Sequence, residues 1–178
     1  GQFPEFCLYL VICEFSALTE DPVMAIAMKV SDYLADLDIA YDVLTHPHTM
    51  TSSESAQASH VPGARLAKSV VLEDDDGYVM VVVPSNRKVD LGELHRQTNR
   101  SLGLATEGEL GRLFADCEIG ALPPIGPAYG IETLVDDAIA EQSEVYFEAG
   151  DHEQLIRVSH EGFHALMGEG IRHGHFSN

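Results

Sequence analysis

The sequence predicts an α/β domain whose sheet is at least partly antiparallel. Three observations carry this. The chain has 178 residues, 22% charged and 45% hydrophobic, the proportions of one ordinary globular domain with a full-sized core. Segments of helical and strand period are interspersed along it. Asp74-Asp75-Asp76-Gly77 lies between two apolar runs, and an Asp-Gly turn so placed returns a strand against its neighbour.

The elements follow in order. Residues 1–23 differ in texture from the rest, and Gly1 to Glu20 contains no Lys or Arg. Two readings stand: an extension foreign to the domain, or a strand or partner-binding segment made by Phe6 to Phe15. Met24 to Leu37 reads as an amphipathic helix, with Ile26, Val30, Tyr33, Leu34 and Leu37 on one face and Asp21-Pro22 as cap and first turn. Ala40 to Leu44 is a short strand. Thr51-Ser52-Ser53-Glu54 has a capping-box pattern and opens a helix running to His60. Leu66 to Leu72 and Tyr78 to Val83 are the two arms of the hairpin, valine-rich enough to be covered on both faces. Asp90 caps a helix through Asn99. Thr106 to Glu109 is a second capping-box pattern, opening a helix to Phe114. Cys117 to Gly130 holds three Gly and three Pro in 14 residues and is expected to be irregular. Ile131 to Val135, Glu144 to Phe147 and Gln154 to Val158 are strands, and Ser159 to Met167 is a helix. The expected organisation is an N-terminal segment 1–23, a domain 24–167, and a frayed, flexible tail 168–178.

Charge excludes several functions. Acidic residues number 29 and basic ones 10, for a net charge of −19. Coating DNA or attaching to an anionic membrane needs a basic face, so neither is expected. The apolar run Phe6 to Phe15 is too short to span a bilayer and lacks the basic leader of a signal peptide. Three cysteines without a CxxC signal neither a disulfide framework nor a zinc site. A cytoplasmic protein is expected.

Three places could carry chemistry. Lys68 is one of only three lysines and sits inside an apolar strand. It either points outward from a half-exposed strand or faces a pocket, where it would serve as a cation for phosphate or a polarised carbonyl. The Gly120 to Gly126 loop could bring backbone N–H groups close to a ligand or simply connect two elements. Gly150-Asp151-His152 presents an acid and an imidazole on a glycine turn, or is a plain turn with a surface histidine. His46 and His48 flank a proline, but no partner completes a metal-ligand pattern. No GxSxG elbow, P-loop or GxGxxG after a strand occurs. A hydrolase here would work without a protein nucleophile.

Taken together, these residues resemble the YbaK/prolyl-tRNA synthetase-associated editing domains, a family of aminoacyl-tRNA deacylases. The resemblance runs from Tyr41 to Met167. It rests on His46-Pro47 with Thr51 to Glu54, on Leu66 to Val71, and on Tyr78 to Pro84 with Val89-Asp90-Leu91. It rests also on Cys117 to Gly126 and on Val145 to Gly150 with His152 and Ile156. Serine follows Lys68 where relatives often have threonine or asparagine.

The resemblance implies a mixed, largely antiparallel, barrel-like sheet surrounded by helices. It implies hydrolysis, in trans, of the ester joining a wrong amino acid to tRNA, with alanine, serine, cysteine or proline as the expected class. The acceptor end of mischarged tRNA is the implied partner, delivered alone or by a synthetase or elongation factor; no cofactor and no metal is implied. Lys68 and Gly120 become the catalytic candidates, Lys68 engaging a phosphate or the substrate's carbonyl end. Ser69, Ala121, Gly126, Gly150, His152, His46 and Thr51 become the substrate-binding candidates. Lys68, Gly120 and Gly150 are expected to line one cleft. An aminoacyl ester is already activated by its neighbouring ribose hydroxyl, so positioning and polarisation can suffice. The alternative is a non-catalytic nucleotide- or protein-binding module on the same fold.

Overall fold

The hairpin organises the molecule. A computed structural model describes residues 26–178, so the readings made for residues 1–23 and for the Asp21-Pro22 cap lie outside the described residues. Strands β2 (Leu66–Asp74) and β3 (Gly77–Pro84) pair antiparallel along their length, from Ala67 opposite Pro84 to Asp74 opposite Gly77. Gly77 takes a φ of 126° at the turn, a conformation that disfavours a side chain.

The sheet grows on both sides of this hairpin. Beyond β3 lie β5 (Glu132–Asp136) and β8 (Arg172–Gly174), both added in parallel. Beyond β2 lie β6 (Glu144–Glu148), β7 (Gln154–Ser159) and β1 (Asp42–Thr45). β6 joins β2 in parallel, while β7 runs antiparallel to both β6 and β1. A two-residue strand, β4 (Gly103–Leu104), pairs with the far end of β2. The result is the mixed sheet expected, antiparallel in its hairpins and parallel where a helix or long loop intervenes.

Both faces are covered, as the valines foretell. One face packs Ala67, Val71, Met80, Val82 and Val135 under helices α1 (Met28–Asp36) and α6 (His160–Met167). The other packs Leu72, Val79, Val81, Val83 and Leu134 against Leu94 of α3 (Leu91–Thr98) and against Phe176. Capping residues behave as the sequence foretells. Asp90 accepts from the Glu93 N–H. The last helix begins at His160, and Ser159, expected as its first residue, is instead its cap, accepting from the Gly162 N–H. Thr106 and Glu109 complete a reciprocal box at α4 (Glu107–Leu113). At α2 (Ser52–Ala58), Thr51 accepts from the Glu54 N–H, but the Glu54 carboxylate turns to the Met50 N–H instead.

Three expectations need correction. The first helix starts at Met28, because the Ala27 N–H is taken by the Ala149 carbonyl at 2.8 Å. The glycine-proline stretch is not wholly irregular: Gly126–Tyr129 is a turn of 3₁₀ helix with Pro127 in its first turn. The segment 168–178 is no frayed tail. It supplies β8, buries Phe176 completely, and places the Phe176 N–H and Ser177 hydroxyl on the Asp136 carboxylate. Asp136 also caps α5 (Asp137–Ala140) through the Ala138 N–H, so one buried acid ties three segments together. Phe176→Ala is expected to cost about 3–5 kcal/mol. Urea unfolding would read this as a lower midpoint with unchanged slope; a wild-type midpoint would mean that the C-terminal segment does not carry core.

Candidate active site

A gap in the sheet makes the site. β6 pairs only with Leu66 and Ala67 of β2, and β4 only with Leu72 and Glu73. Between them, Lys68 to Val71 keep β3 on one side and, among the described residues, have no strand on the other. A cleft of about 280 Å³ opens there, lined by Ser69, Val70 and Val71 from β2, Ser52 from α2, Leu104 and Ala105, and Ile119, Gly120 and Leu122 from the glycine-proline loop. The Ser69 hydroxyl donates to the Leu122 carbonyl at 3.0 Å and so fixes that loop to the strand. Met50, Leu104 and Ile119, near the loop and cleft, are exposed apolar side chains.

The loop is also tied to the hairpin turn between β6 and β7. The Glu118 N–H donates to the Gly150 carbonyl at 2.8 Å, and His152 Nε2 lies 2.9 Å from the Ile119 carbonyl, a donor geometry for the Nε2–H tautomer. Gly120 has a φ of 94°, and a Cβ there would meet the His152 ring at 3.1 Å and the Met50 carbonyl at 3.2 Å. The conformation favours glycine, and the space beside it is tight for any side chain. His152 itself has a φ of 59° and is buried.

The sequence-predicted residues separate into groups. Ser69 and Gly120 line the cleft, and His152 backs Gly120. Ala121 is buried, and its N–H is already donated to the Glu118 carbonyl at 3.1 Å. Thr51 stands exposed at the start of α2, one residue from cleft-lining Ser52. His46 is buried beside the same hairpin, its N–H on the Glu153 carbonyl.

The expected single cleft for Lys68, Gly120 and Gly150 does not form. Gly150 faces away from it, with Ala27 Cβ 2.9 Å and Cys117 Sγ 3.2 Å from where its own Cβ would stand. Gly126 is likewise a packing glycine, because a Cβ there would collide with Thr133 of β5. Neighbouring residues in a strand point to opposite faces. Ser69 meets the Leu122 loop, so Lys68 leaves from the other face. Its ammonium donates to the Ser85 carbonyl at 3.3 Å, and burial and the nearby Lys88 lower its pKa. Cys117 is no nucleophile: burial pushes its thiol up to about 12.

Sequence reasoning missed a buried polar cluster behind His152. The Glu148 carboxyl, at the end of β6, is almost completely buried and accepts from the Ser55 hydroxyl. Ser55 lies 2.7 Å from the Thr49 hydroxyl, and the Thr49 N–H donates to the His152 carbonyl at 3.2 Å. Among the described residues Glu148 Oε2, His46 Nε2, Asp151 Oδ2 and His152 Nδ1 have no hydrogen-bond partner. Burial pushes Glu148 up to about 7, against the opposing pull of Ser55 and His46. Only one signal in the sequence pointed here: a glutamate closing an otherwise apolar strand, Val145-Tyr146-Phe147-Glu148.

A match to the aminoacyl-tRNA editing domain covers residues 46–166. The chain is 25% identical over 143 residues to a proline--tRNA ligase of Bacillus cytotoxicus, covering 71% of this chain and 25% of that protein. It is 36% identical over 81 residues to a proline--tRNA ligase of Thermosipho melanesiensis, covering 45% of this chain and 14% of that protein. The chain therefore spans about a quarter or less of the length of these curated relatives. Among solved structures, one described as a "putative trans-editing enzyme for prolyl tRNA synthetase" superposes with a TM-score of 0.73 at 25% identity, covering 85% of this chain and 96% of that one. A scaffold protein from computational epitope grafting superposes with a TM-score of 0.72 at 21% identity, covering 85% and 96%, which shows the shared fold.

Glu148 gives this site a stability signature. Its folded-state value lies above the ordinary 4.5, so the folded chain holds the proton longer than the unfolded chain. The associated stability is complete below the ordinary value and is lost as pH rises through about 7. The loss is on the order of 3 kcal/mol. Urea stabilities measured from pH 5 to 8 should therefore fall more steeply for wild type than for Glu148→Gln; parallel curves would contradict the burial effect. The match over residues 46–166 spans most of the chain, and this protein belongs to the aminoacyl-tRNA editing domain family.

Proposed function

We propose that this chain hydrolyses the ester of a mischarged small amino acid on tRNA, acting in trans. The observation that carries the reading is the small cleft at the gap in the sheet, where Ser69 and the Gly120 loop meet over a stretch of β2 that no described strand covers on that side. A cleft of about 280 Å³ suits a small side chain together with the ester end of a nucleotide. Alanine, serine, cysteine and proline form the substrate class.

The roles follow from placement. With the Ala121 N–H engaged by Glu118, the Gly120 N–H is the loop's donor for the scissile carbonyl; it makes no backbone hydrogen bond among the described residues. Ser69 holds the loop and faces the substrate. His152 supports Gly120 from behind. Lys68 leaves β2 on the face opposite Ser69, so polarising the carbonyl is not part of the reading; its proposed role is reduced to that of a cation for an acceptor-end phosphate outside the cleft. Water attacks the carbonyl carbon, the ester C–O bond breaks, and the ribose hydroxyl leaves with a proton. The neighbouring ribose hydroxyl assists, so no protein nucleophile is needed. The tRNA body stays off the acidic surface, or a synthetase or elongation factor delivers it.

A panel of aminoacyl-tRNAs tests this. Loss of amino acid is expected from one or a few small-residue members. Gly120→Ala should lower turnover by at least a hundredfold, the usual scale for a displaced carbonyl donor. Lys68→Ala should raise KM, with an effect that shrinks as salt rises. No turnover on any member, with binding of the acceptor end retained, would leave a non-catalytic binding module in its place.

A further inference from the structure

The polar cluster behind His152 has a property that its hydrogen-bond directions impose. Glu148, Ser55, Thr49 and the His152 carbonyl form a continuous chain. The Thr49 hydroxyl lies 2.7 Å from Ser55 Oγ and 3.4 Å from the His152 carbonyl. Each hydroxyl has one proton to give. With Glu148 ionised, Ser55 spends its proton on the carboxylate and can only accept from Thr49. The Thr49 proton then goes to Ser55, the nearer acceptor. With Glu148 protonated, the acid donates to Ser55, and Ser55 donates to Thr49 or to the Thr51 carbonyl at 3.1 Å. Where Ser55 donates to Thr49, the nearer acceptor, the Thr49 proton is released to the His152 carbonyl, which gains a second donor beside the Thr49 N–H.

We infer that Glu148 is a positioning residue of the proposed deacylation site, its proton setting, through Ser55 and Thr49, how firmly the His152 turn is held behind Gly120. The inference rests on the deacylase reading for its consequence but not for its mechanism. The chain of donors is buried, so its polarity is not averaged by solvent. Its far end is the residue whose ring contacts the Ile119 carbonyl and fills the space beside Gly120. The groups facing Glu148 are few. His46 and His48 come from the segment before α2, Asp151 from the turn, and Ser55 from α2 itself. Burial places its titration near pH 7, where both polarities are populated.

Two readouts test this in the full chain. The first is NMR. The Glu153 nitrogen shares a peptide group with the His152 carbonyl, so its shift reports donors at that oxygen. It should titrate with the same midpoint as the Glu148 carboxyl carbon, and that coupling should vanish in Thr49→Val, where the carboxyl still titrates. Glu148→Gln, which has no proton to titrate, should hold the Glu153 shift constant across that pH range. The second is the ratio of wild-type to Thr49→Val kcat/KM across pH. It should fall by about two- to tenfold through the same midpoint, the rate equivalent of one hydrogen bond. A Glu153 shift that ignores the Glu148 titration overturns the relay. A flat kcat/KM ratio overturns its role in positioning. Absence of turnover on every aminoacyl-tRNA overturns both the deacylase reading and that positioning role, while the NMR result decides the relay alone.

Discussion

The architecture depends on one constraint: β2 is longer than any single partner on its outer side. Eight of its nine residues pair with β3, yet β6 reaches only the first two positions and β4 only the far end. A strand's unpaired edge is normally a liability, because its N–H and C=O groups seek partners. Here the vacated edge is approached by α2 and by the glycine-proline loop, which together turn it into a concave site. The stiffness of Pro123-Pro124 and the packing of Gly126 against Thr133 of β5 hold the loop from its far end. Its near end is held by Gly150 and His152. The cleft is therefore bounded by elements whose positions are fixed independently of any ligand, the arrangement that binding and catalysis by positioning require.

Charge reinforces that arrangement. A chain of net charge −19 that meets a polyanion cannot rely on general attraction. Several of its cations are already committed: Arg100 bridges Asp74 and Glu132, Arg65 holds Glu144, Arg96 holds Glu93 and Arg157 holds Asp42. Lys68 differs, since it meets a carbonyl and a neighbouring lysine rather than a carboxylate. An ammonium with no counter-ion beside it among the described residues is the kind of group a phosphate can recruit at little cost. On the deacylase reading proposed above, repulsion elsewhere would act as a filter, favouring contact at the acceptor end over contact along the RNA body.

The sheet hairpin, the caps at Thr51, Asp90 and Thr106, and the loop at Gly120 were legible because each is encoded locally, by period, turn chemistry or capping. What could not be read was set by tertiary contact. β8 is three residues whose pairing with β5 comes through Phe176 and the Asp136 carboxylate, neither of which leaves a periodic trace. Gly126 and Gly150 look in sequence like ligand-approach glycines, yet both are small because other protein atoms occupy the space. Lys68 shows the opposite limit. Its place in an apolar strand marks it as unusual, but which face it leaves depends on strand phase, and a one-residue shift of phase reverses it.

Glu148 breaks the local rule most sharply, and the break has a direction. A carboxyl at the buried end of an apolar strand opposes folding whenever it is ionised, and an alanine or serine there would avoid that cost. The polar atoms without partners around it, from His46, Asp151 and His152, multiply the expense rather than relieve it. Sequences that keep such a group against stability do so at sites, where consistency with the fold yields to chemistry. The cluster joins the segment ending in α2 to the turn carrying His152, and that turn in turn supports the loop at Gly120. A hydrophobic core at the same place would hold these three segments as firmly, but it could not respond to a proton.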